Sequence, residues 1–185
     1  MTDLQNFIER YSDLERGIRE KMVYLFSDIC GMCTACCCRA DICEEATDSA
    51  FLSLLLEKQG LSKVKMDERY GWLDLHGCSL EFGRPPVCYS YYCGELLDHL
   101  PNEEDQVSAK ILGNLIFHIG RNALGEWHLT EIRNRNDLEK VNYPQLFHCL
   151  EEAEAAYQVI NEYLQSGRLS ANNRSILERI TTETP

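Results

Sequence analysis

Apolar side chains recur at Leu4, Phe7, Ile8, Tyr11, Leu14, Ile18, Met22, Leu25 and Ile29, close to a 3.6-residue period. The spacing predicts a helix over 3–29. Thr2 or Asp3 is placed to cap its start, and Gly31 to end it. Residues 30–46 carry no apolar periodicity and read as a loop. A second helix is expected over 48–59, with Thr47 or Asp48 as cap and Gly60 as stop. Gly71, Gly77, Gly83, Pro85, Pro86 and Gly94 punctuate an irregular stretch over 63–93, with one short strand around Trp72–Leu75.

Helical patterning then returns. Asn102 followed by Glu103, Glu104 and Asp105 suits a helix start, because acidic groups favour the positive end of the helix dipole. Its apolar face runs Val107, Ile111, Leu112, Leu115, Ile116, Ile119 and Leu124. Residues 126–133 suit a short strand or an extended turn. Pro144 fits the first turn of the next helix, whose face is Leu146, Phe147, Leu150, Ala153, Tyr157, Ile160 and Leu164 and which Gly167 closes. A short amphipathic helix over 171–180 follows. The expected fold is mainly α: a helical bundle with a loop-rich, cysteine-ligated metal-binding module. Residues 1–185 read as a single domain, with the module at about 30–95 between an N-terminal helix and C-terminal helices.

Charge narrows the function. Lys plus Arg number 18 against 30 Asp plus Glu, a formal net charge of −12. So acidic a chain lacks the cationic groups that phosphate contacts need, so no nucleic-acid partner is expected. It also lacks the polybasic stretch that binds an anionic membrane surface. No apolar run approaches the roughly 18 residues of a membrane span, since Ser53 breaks the longest one. The N-terminal residues lack the basic and apolar regions of a signal peptide. A cytoplasmic, reducing location is therefore expected, where stable disulfides are rare.

That expectation gives weight to ten cysteines. Cys30, Cys33, Cys36, Cys37, Cys38 and Cys43 fall close together; Cys78, Cys88 and Cys93 form a second group; Cys149 stands alone. Cys30-Gly-Met-Cys33-Thr-Ala-Cys36-Cys37 holds two overlapping C-x-x-C units, the tight spacing that turns two thiolates toward one ion. Adjacent Cys36 and Cys37 point different ways and suit two irons or two metals better than one ion. Cys78, Cys88 and Cys93 flank Arg84-Pro85-Pro86, where prolines stiffen the loop and Arg84 can offset thiolate charge. The ligand set is expected to be Cys30, Cys33, Cys36, Cys37, Cys78, Cys88 and Cys93, with Cys38 and Cys43 able to complete or replace members.

Familiar templates do not fit. The bacterial ferredoxin run and the C-x-x-x-C-x-x-C radical motif would both need a cysteine at Ala40, and the plant-type ferredoxin spacing would need one at Leu96. No histidine pair has zinc-finger spacing. Instead, C-x-x-C-x-x-C-C followed by Gly77-Cys78-Ser-Leu and Arg84-Pro85-Pro86-Val87-Cys88-Tyr-Ser-Tyr-Tyr-Cys93 resembles the YkgJ-like cysteine-cluster family, described as a zinc- or iron-chelating domain. The resemblance covers roughly 30–95. It implies that the family's metal positions fall on Cys30, Cys33, Cys36, Cys37, Cys78 and Cys88, with Cys93 beside them. Family members usually carry a further cysteine upstream of the one at Cys78, where this chain reads Tyr70-Gly-Trp-Leu-Asp74. The residue after Cys88 is often Arg in the family and is Tyr89 here. One branch looks like lysine methylases acting on flagellin.

The remaining candidates have plainer readings. His76 and His99 flank the cysteine groups as solvated loop histidines. His118 and His148 lie in helical segments as core or boundary residues. Cys149 reads as a buried, inert thiol. Tyr89, Tyr91 and Tyr92 read as an aromatic wall, and Glu151, Glu152 and Glu154 as a solvated helix face. No G-x-G, P-loop, H-E-x-x-H or G-x-S-x-G occurs, so no nucleotide cofactor motif is visible. The leading expectation is an iron–sulfur protein with a redox or electron-transfer role. The alternatives are a structural zinc-binding module for an unidentified protein partner, and a protein lysine methylase-like enzyme.

Overall fold

The computed structural model describes residues 2–30, 39–74 and 77–181. The first helix, α1, runs Asp3–Cys30, as its periodicity predicts. Thr2 caps it: the Gln5 N–H donates to Thr2 Oγ1 at 3.3 Å, while the Thr2 N–H donates to Gln5 Oε1 at 3.1 Å. Phe7, Tyr11, Leu14 and Ile18 are buried in the main core and Phe26 lies further along the same helix. The expected stop at Gly31 lies outside the described residues.

The 30–46 loop is corrected by the structure. From Ala40 the chain is already helical, as α2 (Ala40–Asp48), which buries Cys43 and Ala46. A separation of three positions places these two buried residues on one face of a short helix. Helix α3 (Ala50–Lys58) follows at once, capped by Ser49 rather than Thr47 or Asp48: the Ser49 hydroxyl accepts from the Leu52 N–H at 3.2 Å. Gly60, at φ 68°, turns the chain out of it. Phe51, Leu52, Leu55 and Leu56 are buried.

The irregular stretch holds β1 (Leu73–Asp74) and β2 (Gly77–Cys78), antiparallel, with Leu73 opposite Cys78. Leu75 and His76, between them, lie outside the described residues. Two short helices follow, α4 (Val87–Ser90) and α5 (Gly94–Asp98). Helix α6 (Glu103–Ile119) begins at Asn102, whose side chain accepts from the Asp105 N–H at 2.8 Å. Val107, assigned above to its apolar face, is exposed. Between α6 and α7, Leu124 and Trp127 bridge and 129–131 form a 3-10 turn, so of the two expected alternatives the strand is absent and the chain turns. Helix α7 (Tyr143–Ser166) has Pro144 in its first turn and ends at Gly167, φ 67°. Helix α8 is Ala171–Thr181.

The described residues are thus mainly helical. Helices α1, α6, α7 and α8 pack together around Ile18, Leu112, Leu115, Ile116, Leu150 and Ile160. A second, smaller core joins Phe26 of α1, Leu96 and Leu100 of the α5 region, and Ala109 of α6. Cys93 and Tyr92 pack against it. No helix among the described residues is long and apolar enough to cross a membrane.

Candidate metal centre

The second cysteine group is positioned by one buried carboxylate. Glu15 interrupts the apolar stripe of α1 and is fully buried. Its Oε2 accepts from the Gly83 N–H at 2.7 Å, and its Oε1 accepts from the Arg84 N–H at 2.9 Å and from the Tyr89 hydroxyl at 2.8 Å. Three donors on one side chain pin the Arg84-Pro85-Pro86 turn and α4 against α1. Burial raises the Glu15 carboxyl above its ordinary range, and the three donors and nearby Arg84 oppose that rise.

From this turn the Arg84 side chain reaches back to β2. Its Nη2 donates to Leu80 O at 2.8 Å and lies 3.4 Å from Cys78 O. Arg19 of α1 approaches the same Cys78 carbonyl at 3.4 Å. Burial works against the Arg84 charge, and the fields of Tyr89, Cys78, Glu15 and Cys88 outweigh it, so the guanidinium is held charged more firmly than usual. The Nε atoms of both Arg84 and Arg19 are buried with no hydrogen-bond partner. Buried donors are rarely left unpaired, so two of them beside a thiol group mark a place suited to negative charge.

Cys43 belongs to this neighbourhood. Burial pushes its thiol up, while the Trp72 backbone N–H donates to its sulfur and lowers it; Cys78 and Arg84 act on it electrostatically. Its sulfur fills the space against Gly71, where φ is 62° and a Cβ would collide with Cys43 Sγ. Cys43 therefore stands beside the Tyr70–Asp74 segment that lacks a cysteine of its own.

The expected ligands distribute as follows. Cys78 and Cys88 lie within electrostatic reach of Arg84. Cys93 is half-buried against the smaller core of Phe26, Leu96, Leu100 and Ala109. Cys30 is the last residue of α1. Cys33, Cys36, Cys37 and Cys38 lie outside the described residues, as does His76. Of the three tyrosines, Tyr89 is buried, Tyr92 is partly buried and donates to Ala109 O, and Tyr91 is 61% exposed, so the aromatic wall is two residues rather than three.

No family model, curated protein or solved structure matches this chain.

A second cluster went unread in the sequence. His118 of α6 and Cys149 of α7 are both buried, and Glu152 of α7 is partly buried between them. His118 Nε2 lies 3.1 Å from Glu152 Oε2. Burial pushes the His118 imidazole below its usual range, Arg121 adds to this, and Glu152 opposes it. Two readings are corrected. Glu152 does not belong to a solvated face, nor does Glu154, which binds Arg10 through contacts of 3.1 and 2.7 Å. His148 is no core residue, since its side chain is 64% exposed. The signal available in the sequence was spacing: His148, Cys149 and Glu152 occupy one or adjacent faces of a helix.

Proposed function

We propose that the chain is a metal-binding cysteine-cluster protein, with an iron–sulfur cluster in a redox or electron-transfer role. Cys30, Cys33, Cys36, Cys37, Cys78, Cys88 and Cys93 are the proposed thiolate ligands, and Cys43 joins them as a candidate ligand. The observation that carries the reading is the half-buried Arg84 beside Cys43, Cys78 and Cys88, with its Nε buried and unpartnered. Cysteines lose their protons when they bind metal, so an all-thiolate site is anionic. A half-buried cation with a spare N–H donor fits that charge, and hydrogen bonds to cluster sulfurs are a recognised lever on potential. A bound cluster supplies one-electron transfer. The protein's own residues supply the rest: Glu15 holds the ligand loop, Arg84 and Arg19 offset charge, and Tyr89 and Trp72 exclude water.

The same thiolates fit zinc, which would make the module a structural anchor for a protein partner. Anaerobic purification with a visible spectrum, iron, zinc and acid-labile sulfide determined on one sample separates the two. A coloured protein with iron and sulfide is the expected result. A colourless protein loaded with zinc replaces the cluster by the structural site, and a protein that takes up neither metal refutes both. Cys78→Ser and Cys43→Ser should each lower metal content. Full loading of Cys43→Ser would remove Cys43 from the set.

A further inference from the structure

We propose that His118, Cys149 and Glu152 form a second, separate metal site that takes zinc, with His148 as the fourth ligand. One ligand atom from each of the first three lies within 4.8 Å of the others. His148 Nε2 stands 3.7 Å from Glu152 Oε1 at the solvent edge. Tetrahedral zinc holds its ligands at about 2.0–2.3 Å, so His118, Cys149 and Glu152 close around an ion by side-chain movements of about 1 Å, while His148 turns in from the solvent edge to complete the set.

Three further observations favour an ion over a plain polar contact. His118 is 3% exposed and presents its Nε2 to Glu152 Oε2 from the facing helix, so a buried imidazole nitrogen already points into the cluster. Gln145 Nε2 lies 3.2 Å from Cys149 Sγ, the outer donor contact that steadies a metal-bound sulfur. His148, Cys149 and Glu152 come from a single turn of α7 and His118 from the facing helix α6, so all four are held on rigid elements.

The donor set selects the metal. A thiolate, imidazoles and a carboxylate together suit zinc, whereas magnesium and calcium want oxygen ligands and would leave sulfur and nitrogen unused. Binding releases the Cys149 thiol proton to solvent and forms the sulfur–zinc bond; no oxidant or reductant takes part. Its consequence is a cross-link between α6 and α7. The site shares no ligand with the cysteine module, so either can fail without the other.

The test uses the full chain carrying whatever metal its cysteine module holds. The protein is incubated with excess zinc, freed of unbound ion by gel filtration and assayed for zinc per chain and for Tm. Wild type should retain one zinc more than Cys149→Ser or Glu152→Gln, and added zinc should raise Tm in wild type alone. Added zinc should also shift the ring nitrogen resonances of His118. Glu152→Gln keeps the size and polarity of a partly exposed side chain, so it decides the matter if Cys149→Ser does not fold. Equal zinc retention by wild type and Glu152→Gln, or unmoved His118 resonances, overturns the proposal.

Discussion

Two helical glycines make opposite predictions. Glycine inside a helix costs about 1 kcal/mol relative to alanine, so Gly→Ala should stabilise wherever the methyl group fits. At Gly17 of α1 an added Cβ would meet the Tyr157 hydroxyl at 2.7 Å, the far end of a half-buried side chain that can swing aside. At Gly113 of α6 the Cβ would meet the Tyr89 backbone carbonyl oxygen at 2.6 Å and the Tyr92 hydroxyl at 2.5 Å. Ordinary contact begins at 3.4 Å, so α4 would have to retreat by about 0.8 Å. Overpacking of this kind costs about 1–3 kcal/mol, which cancels or exceeds the helix gain. For a chain of this size 1 kcal/mol moves Tm by about 2–4 °C. Gly17→Ala should therefore melt about 2–4 °C above wild type and Gly113→Ala level with it or a few degrees below. The displaced α4 carries Cys88, and metal–ligand distances tolerate only about 0.2 Å, so Gly113→Ala should also lose metal content while Gly17→Ala keeps it. Thermal melts and metal analysis of both variants test this. A Gly113→Ala protein as stable and as well loaded as Gly17→Ala would refute the claim that backbone proximity at Gly113 sets the position of α4.

Two other outcomes can be checked directly. Glu15→Ala leaves the Gly83 and Arg84 N–H groups and the Tyr89 hydroxyl unpaired in the interior, so urea unfolding should show a loss of about 3–5 kcal/mol; a loss under about 1 kcal/mol would mean those bonds hold nothing. Burial lowers the His128 imidazole below its usual value, so the folded state binds its proton less readily than the unfolded chain; the stability it contributes is complete above about pH 6.5 and is lost as pH falls below that. His128→Asn should accordingly lose less stability than wild type between pH 7 and pH 5, and an unchanged difference would contradict the assignment.

The long helices were readable because each buries one continuous stripe: α1, α6 and α7 start where their caps and proline indicate, and α7 stops at Gly167, while α6 ends at Ile119, short of Leu124. Helix α2 was not, because it is short and its buried positions are Cys43 and Ala46, which carry little apolar signal. Cys43 read as part of a ligand loop when it is a buried helical residue. Glu15 left a usable trace, a charged residue at a stripe position between Leu14 and Ile18, whose meaning depends on a turn some seventy residues away. Arg84 was legible as a charge beside cysteines, but its partial burial and the orphaned Nε depend on the packing of β2 and α1 around it. The His118, Cys149 and Glu152 grouping needs α6 and α7 to face each other at one register, which no local pattern encodes.

The smaller core has a consequence for how this protein can be dissected. It is built on Phe26 and Ala109, which belong to α1 and α6, two of the helices that also build the main core. The cysteine segments enter along the first of these rods, about 42 Å long at 1.5 Å per residue, and leave along the second. A fragment cut to contain only the cysteines would lose both rods and the wall against which Cys93 rests. The cysteine segments are therefore no detachable cassette that can be grafted onto another scaffold by its motif; the packing around them comes with the bundle or not at all.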